Sequence, residues 1–159
     1  MAAETMHTAA LGLGANLNDR EACLQKAIER LNKHGANVTA RSSFYDTEPV
    51  DCVPGTPRFL NAAVTVAWPG TPQELLAVCK DIETAMGRPR DHSSDESRII
   101  DIDILLFDHD MVNQGHLQIP HPRLVERLFI LRPLNEIAAD WEIPPTRQTV
   151  AEAYRALKG

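Results

Sequence analysis

Within Arg98–Phe107 apolar residues alternate with two aspartates, so that Ile100, Ile102 and Ile104 face one way and Asp101 and Asp103 the other. That period predicts a strand buried on one side only. A shorter apolar run, Thr8 to Leu13, ends in Gly12-Leu-Gly14 and predicts the first strand. Leu24, Ala27, Ile28 and Leu31 then recur at helical spacing, giving a helix over about 19–33 that Gly35 ends. Val38–Tyr45 and Phe59–Trp68 are rich in β-branched and small residues and predict strands. Between them Thr47–Pro57 carries three prolines and a glycine, a stiff loop. Thr71-Pro72-Gln73-Glu74 is a capping box with proline at the first helical position. The helix it opens runs through Leu75, Leu76, Cys79, Ile82 and Met86 to Gly87.

Beyond Gly87 the pattern weakens. Gly87–Ser97 is polar and without period, which predicts a second long loop. Asp108-His-Asp110 turns the chain after the aspartate strand, and Met111-Val112 and Leu117–Ile119 predict two short strands. Pro120–Pro133 is expected to be a loop with one helical turn, and Thr149 to cap a last helix through Val150, Ala153 and Leu157. Strands and helices do not alternate as a parallel doubly wound sheet requires. The expectation is α+β: helices packed on a mostly antiparallel sheet, in one domain spanning 1–159.

Composition narrows the partners. The net charge of −6 argues against a broad nucleic-acid surface but leaves room for a local basic site holding a small anion. Three cysteines, Cys23, Cys52 and Cys79, show neither metal spacing nor a disulfide framework, so a reducing cytoplasm is expected. The start of the chain does not resemble a signal peptide, and no apolar run approaches the roughly 20 residues of a membrane span. A monomer acting on small molecules is expected.

Asp101 and Asp103 carry the candidate chemistry. Two residues apart on a strand they lie roughly 6.6 Å from each other and repel. A divalent cation is the usual remedy, and oxygen-only ligands favour Mg²⁺. The bland alternative is an edge strand with a solvated face. Arg88, Arg90 and Arg98 just upstream favour the metal, because magnesium carboxylates beside guanidiniums are the working parts of phosphoryl transfer. Other features are weaker. Gly12-Leu-Gly14 lacks the rest of a dinucleotide or Walker A motif and is expected to be a tight turn bringing backbone close to something. His121 sits between two prolines, near Arg123 and Arg127, and a lone histidine is more often structural than catalytic. By pattern alone Phe59 and Phe129 are core residues, and Glu83 is a solvated helix charge.

Taken together and in order, these segments resemble a known family. Ser97-Arg-Ile-Ile-Asp-Ile-Asp-Ile-Leu-Leu-Phe107 is similar to the signature of 6-hydroxymethyl-7,8-dihydropterin pyrophosphokinase, a folate-pathway enzyme. Leu13-Gly-Ala-Asn-Leu17, Ser42-Ser-Phe-Tyr-Asp-Thr-Glu-Pro49, Phe59-Leu-Asn-Ala-Ala63 and Ile82-Glu-x-x-x-Gly-Arg88 match further segments. Pro120-His-Pro-Arg-Leu-x-Glu-Arg-Leu-Phe129 and Pro133-Leu-x-Glu-Ile-Ala138 complete the set, which runs from about residue 10 to residue 140. Where family members often carry Arg-Trp-Gly-Pro, this chain has Ser94-Asp-Glu-Ser97.

The resemblance implies a ferredoxin-like α+β fold, with an antiparallel sheet between helix layers. It implies transfer of the β,γ-pyrophosphate of ATP to the pterin hydroxymethyl group, with release of AMP. Asp101 and Asp103 match the pair that holds two Mg²⁺ ions, and Arg90 and Arg98 the loop arginines on the phosphates. His121 and Arg127 match ATP-site positions, and Glu83 a position near the nucleotide. Asn61 matches the residue that reads the pterin's amide edge, with Thr47 and Val50 lining the same pocket. Phe59 and Phe129 match the aromatic pair around the ring. Two rival expectations remain: a nucleotide-binding domain without turnover, and a metal-dependent phosphoester hydrolase built on the same aspartates.

Overall fold

The computed structural model describes residues 5–17, 19–49, 54–87 and 100–159. Val50, Arg88, Arg90, Arg98 and the Ser94–Ser97 stretch lie outside the described residues.

The central sheet is formed by β1 (His7–Ala15), β2 (Asn37–Arg41), β3 (Tyr45–Thr47), β4 (Phe59–Trp68) and β5 (Asp101–Phe107). Its order is β2-β4-β1-β5, with β3 pairing with β4 beyond the end of β2, and every described pairing is antiparallel. Helix α1 (Arg20–Lys33) connects β1 to β2, and α2 (Pro72–Ala85) connects β4 to β5. Two such crossovers, each skipping one strand, make the ferredoxin-like arrangement. Both helices start as expected. Asp19 caps α1 by accepting from Ala22 N–H, and Thr71 and Glu74 exchange the reciprocal bonds of a capping box. Gly35 and Gly87 follow the two helices at φ +88° and +104°, the left-handed region that glycine enters without strain.

The alternation of each strand separates two cores. Leu11, Leu13, Val64, Val66, Ile102 and Ile104 pack under Leu24, Leu31, Leu75 and Ile82 of α1 and α2. On the opposite face Ala10, Ala63, Leu105 and Leu106 pack under α3 (Leu128–Ala138) and α4 (Val150–Lys158) through Leu131, Leu134, Val150 and Ala153. This second layer covers apolar sheet positions and leaves Gly12, Gly14, Asn61, Asp101 and Asp103 to line an open cleft.

Three segments depart from the pattern reading. The strand expected over Val38–Tyr45 is broken at Ser42–Phe44 into β2 and β3. At the break Ser42 Oγ, rather than a backbone carbonyl, accepts the Ala63 N–H at 2.9 Å. Pro120–Pro133 is no simple loop: a 3₁₀ turn (Leu124–Glu126) leads into α3, and Pro133 lies inside that helix. Arg127, at the N-cap, makes no side-chain capping bond, so the start of α3 leaves no local signal. Gly12 and Gly14 are strand residues of β1, not a turn.

The short strands β6 (Val112–Gln114) and β7 (Leu117–Ile119) form a hairpin. Glu142–Ile143 and Gln148–Thr149 form another, β8 and β9. No described helix is long and apolar enough to cross a membrane. The described cysteines, Cys23 and Cys79, are free thiols, and burial pushes the Cys79 thiol up, away from reactivity.

Candidate active site

A cleft of about 210 Å³ opens on the α3 side of the sheet. Its floor follows from strand register. Tyr45 pairs with Asn61, Asn61 with Gly14, and Gly14 with Asp101, so these four residues form one row across four strands. The neighbouring row runs Ala63, Gly12, Asp103. Directly paired residues project to the same face. The two carboxylates therefore stand at one side of the floor, the Asn61 amide at the other, and glycines lie between. A Cβ built on Gly14 would come within 3.0 Å of Asn61 Oδ1 and 3.6 Å of Phe59 Cδ1. Glycine here is required by close approach, not by backbone angle.

A bulge in β5 builds the wall beside the carboxylates. Leu11 pairs with Ile104 but Ala10 with Leu106, leaving Leu105 as the extra residue. Leu105 and Leu106 consequently both pack on the α3 side, and Phe107 returns to the opposite core. The Leu105 carbonyl accepts the His121 N–H at 3.0 Å. His121 Nδ1 in turn accepts the Arg123 N–H at 3.0 Å, so the ring proton resides on Nε2. Burial pushes the imidazole below its ordinary value; Asp101 opposes this and Arg123 adds to it. His121 is therefore a neutral donor at the cleft wall, with Arg123 and Arg127 beside it.

The opposite wall is held by hydrogen bonds. Asn61 is buried, 7% exposed, and its Nδ2 donates to Thr47 Oγ1, which leaves Oδ1 over Gly14. Asp46, next to Thr47, is gripped by Arg58 at 2.8 Å and by Arg20 at 3.1 Å, tying β3 to the residue before β4 and to the start of α1. Hydrogen bonds from Arg20 and Arg58 hold its carboxyl below the usual range.

Of the residues expected from sequence, Thr47, Phe59, Asn61, Asp101, Asp103, His121, Arg127 and Phe129 line this one cleft. Phe59 and Phe129 are half-buried cleft residues rather than core. Arg90, Arg98 and Val50 lie outside the described residues. Gly12, Gly14, Leu105, Arg123 and Ile130 also line the cleft; the sequence reads the two glycines only as a tight turn and Arg123 only as a neighbour of His121, and assigns nothing to Leu105 or Ile130.

Glu83 does not line it, and it is not a solvated charge. It is 3% exposed, belongs to the buried stripe Leu75, Cys79, Ile82, Glu83, and accepts the Ile102 N–H at 2.8 Å. Lys80 lies 3.5 Å from its other oxygen. The carboxylate thus fastens β5 to α2 between the two aspartates. Glu83→Ala removes that buried acceptor, at a cost of about 1–3 kcal/mol. The melting temperature is expected to fall by roughly 2–4 °C per kcal/mol at this chain length. An unchanged thermal transition would show that Ile102 finds another acceptor.

Among the described residues no group of three or more His, Cys, Asp or Glu side chains is placed to cage a metal. Two carboxylates without a cage still fit Mg²⁺, which keeps several waters and takes substrate phosphate oxygens as its remaining ligands.

The chain matches the family described as 7,8-dihydro-6-hydroxymethylpterin-pyrophosphokinase over residues 10–139. It is 40% identical over 150 residues to the 2-amino-4-hydroxy-6-hydroxymethyldihydropteridine pyrophosphokinase of Bacillus subtilis, covering 93% of this chain and 89% of that one. It is 42% identical over 153 residues to the protein of the same name from Methylorubrum extorquens, covering 96% and 94%. Among solved structures, the HPPK-DHPS of Plasmodium falciparum superposes with a TM-score of 0.75 at 17% identity, over 96% of this chain and 46% of that one. The structural likeness bears on the fold, and the sequence matches bear on the family. This chain belongs to the 7,8-dihydro-6-hydroxymethylpterin-pyrophosphokinase family.

Proposed function

We propose that the protein transfers the β,γ-pyrophosphate of ATP to the hydroxymethyl group of 6-hydroxymethyl-7,8-dihydropterin and releases AMP. The observation that carries this reading is the two-ended floor of the cleft. A carboxylate pair and a buried amide lie on the same sheet face, separated only by glycines, in one cleft that Phe59 and Phe129 also line.

The ring end suits a flat heterocycle. Phe59 and Phe129 line the cleft and offer faces for stacking, which favours aromatic ligands beyond simple burial. The relatives' names specify a 2-amino group on the ring. Asn61 Oδ1, with its Nδ2 occupied by Thr47, is an acceptor for that amino group. Val50 belongs to the same end by family resemblance.

The phosphate end suits a triphosphate. Asp101 and Asp103 would hold two Mg²⁺ ions, which supply neutralisation of phosphate charge. His121 donates through Nε2, and Arg127 and Arg123 add fixed positive charge at the wall. Arg90 and Arg98 are assigned to the phosphates by resemblance, while Glu83 supports the strand that carries the two aspartates. The pterin hydroxyl attacks the β-phosphorus in line, the bond from that phosphorus to the AMP oxygen breaks, and the hydroxyl proton is released to solvent. Positioning and charge neutralisation drive the step, and no residue of the chain is assigned as general base. We read the protein as a monomer acting on these two small molecules. The free thiols and the small-molecule cleft fit a cytoplasmic enzyme.

The deciding experiment is AMP formation from ATP and Mg²⁺ with and without the pterin. The proposal expects AMP only when all three are present. AMP without pterin would indicate the hydrolase, and binding of ATP with no AMP under any condition would indicate a nucleotide-binding domain.

A further inference from the structure

The break between β2 and β3 leaves backbone that the sheet does not pair. The β2–β4 pairing ends at Arg41 and the β3–β4 pairing begins at Tyr45. The Ser43 N–H in that gap is taken by a side chain from a distant helix. Both carboxylate oxygens of Glu136, on α3, accept from it at 3.1 and 3.0 Å. The Ser43 hydroxyl donates to the same carboxylate at 3.1 Å, and so does the Tyr45 hydroxyl. One turn earlier on α3, the Arg132 guanidinium lies 5.6 Å from the centroid of the Tyr45 ring.

Both partners lead straight to the ring end of the cleft. Tyr45 is the direct neighbour of Asn61 in the sheet, and Thr47, two residues on, accepts the Asn61 amide. Glu136 lies about two turns beyond Phe129 on α3, close to the same helical face. The proline between them, Pro133, has no N–H for the Phe129 carbonyl one turn before it, so the helical ladder is weakened between Phe129 and Glu136. Glu136 itself is exposed, so its removal opens no cavity.

We infer that Glu136 is a positioning residue for the pterin: by clamping Ser43 and Tyr45 onto α3 it sets the spacing between the wall that carries Phe129 and the wall that carries Thr47 and Asn61. The inference rests on the assignment of that end of the cleft to the pterin ring. Charge-assisted bonds from three donors make the clamp directional, which apolar packing of α3 alone does not.

The test uses the full chain and steady-state AMP formation. Glu136→Ala is expected to raise the pterin KM roughly three- to tenfold, with the ATP KM and the rate at saturating pterin little changed, as for a loss confined to one substrate's binding. Glu136→Gln keeps an acceptor oxygen at the same reach and is expected to recover most of that loss. Tyr45→Phe removes one oxygen only and is expected to act in the same direction more weakly. Combined with Glu136→Ala it should add nothing, because the bond it deletes is already gone. An unchanged pterin KM in Glu136→Ala, equal losses for pterin and ATP, or additive effects in the double variant would each overturn the inference. Absence of pterin-dependent AMP from the unaltered chain would instead overturn the functional reading, and the inference with it.

Discussion

Asp101→Ala and Asp103→Ala are each expected to lower turnover by roughly a hundredfold to a thousandfold or more, the scale of losing a preorganised electrostatic group in a closed site. The fold is expected to survive. Both side chains are half-buried on the cleft face of β5, while that strand's apolar anchors, Ile102 and Ile104, point into the opposite core. Register puts Gly14 and Gly12 opposite the two carboxylates, so no cross-strand side chain packs on them from β1. The melting temperature should therefore change much less than turnover in either variant. The measurement pairs AMP formation over a Mg²⁺ titration with a thermal melt. Near-normal turnover at saturating Mg²⁺ would remove the aspartates from the metal site. A collapse of the melting temperature would mean that they hold the strand rather than the ion.

Much of this site was legible in the sequence because its information is local. The period of β5 separates Asp101 and Asp103 from the isoleucines without reference to any other segment. The capping box at Thr71–Glu74 forms as read, since it needs only four consecutive residues, and Thr149 caps the last helix as read, with Glu152 completing a second box there. What was not legible depends on pairing between distant segments. The β5 bulge that turns the Leu105 carbonyl to His121 exists only relative to β1. Gly12 and Gly14 suggest a turn when read along the chain, and become an open floor only when Asn61 and the aspartates flank them. Pro133 reads as a helix breaker, yet α3 accommodates it past its first turn, and Arg127 gives no cap to mark where that helix begins. The Glu136 clamp joins residues 91 and 93 positions apart. Glu83 is different, because its signal was present. It falls four residues after Cys79 and eight after Leu75, in the buried stripe of α2. Its charge suggested solvent, but its spacing pointed inward.

The ring end of the cleft yields the second large effect, and a glycine decides it. Asn61→Ala removes the Oδ1 acceptor and leaves a ring edge unpaired, which costs about 1–3 kcal/mol and weakens pterin binding roughly tenfold or more. Gly14→Ala is expected to do comparable damage without touching any group that bonds the ligand. Its methyl would lie 3.0 Å from Asn61 Oδ1, and Asn61 is tethered through Nδ2 to Thr47, so the amide cannot yield without losing that bond. The nearby Phe59 ring, 3.6 Å from the same point, is in ordinary contact and does not object. Gly14 is an interior strand residue, where alanine reduces the freedom of the unfolded chain, so stability should change by less than about 1 kcal/mol in either direction. ATP affinity should hold in both variants: Asp101 pairs with Gly14 across the strands, but none of its atoms lies within 4 Å of the added methyl. The double variant separates steric displacement from a general defect. With Asn61 cut back to alanine, the obstruction at Gly14 disappears, and Gly14→Ala should then cost little more. Titration of the pterin and of ATP into all three variants makes the comparison. Full pterin affinity in Gly14→Ala, or a matching loss of ATP affinity, would show that Asn61 is not the residue this floor was cleared to admit.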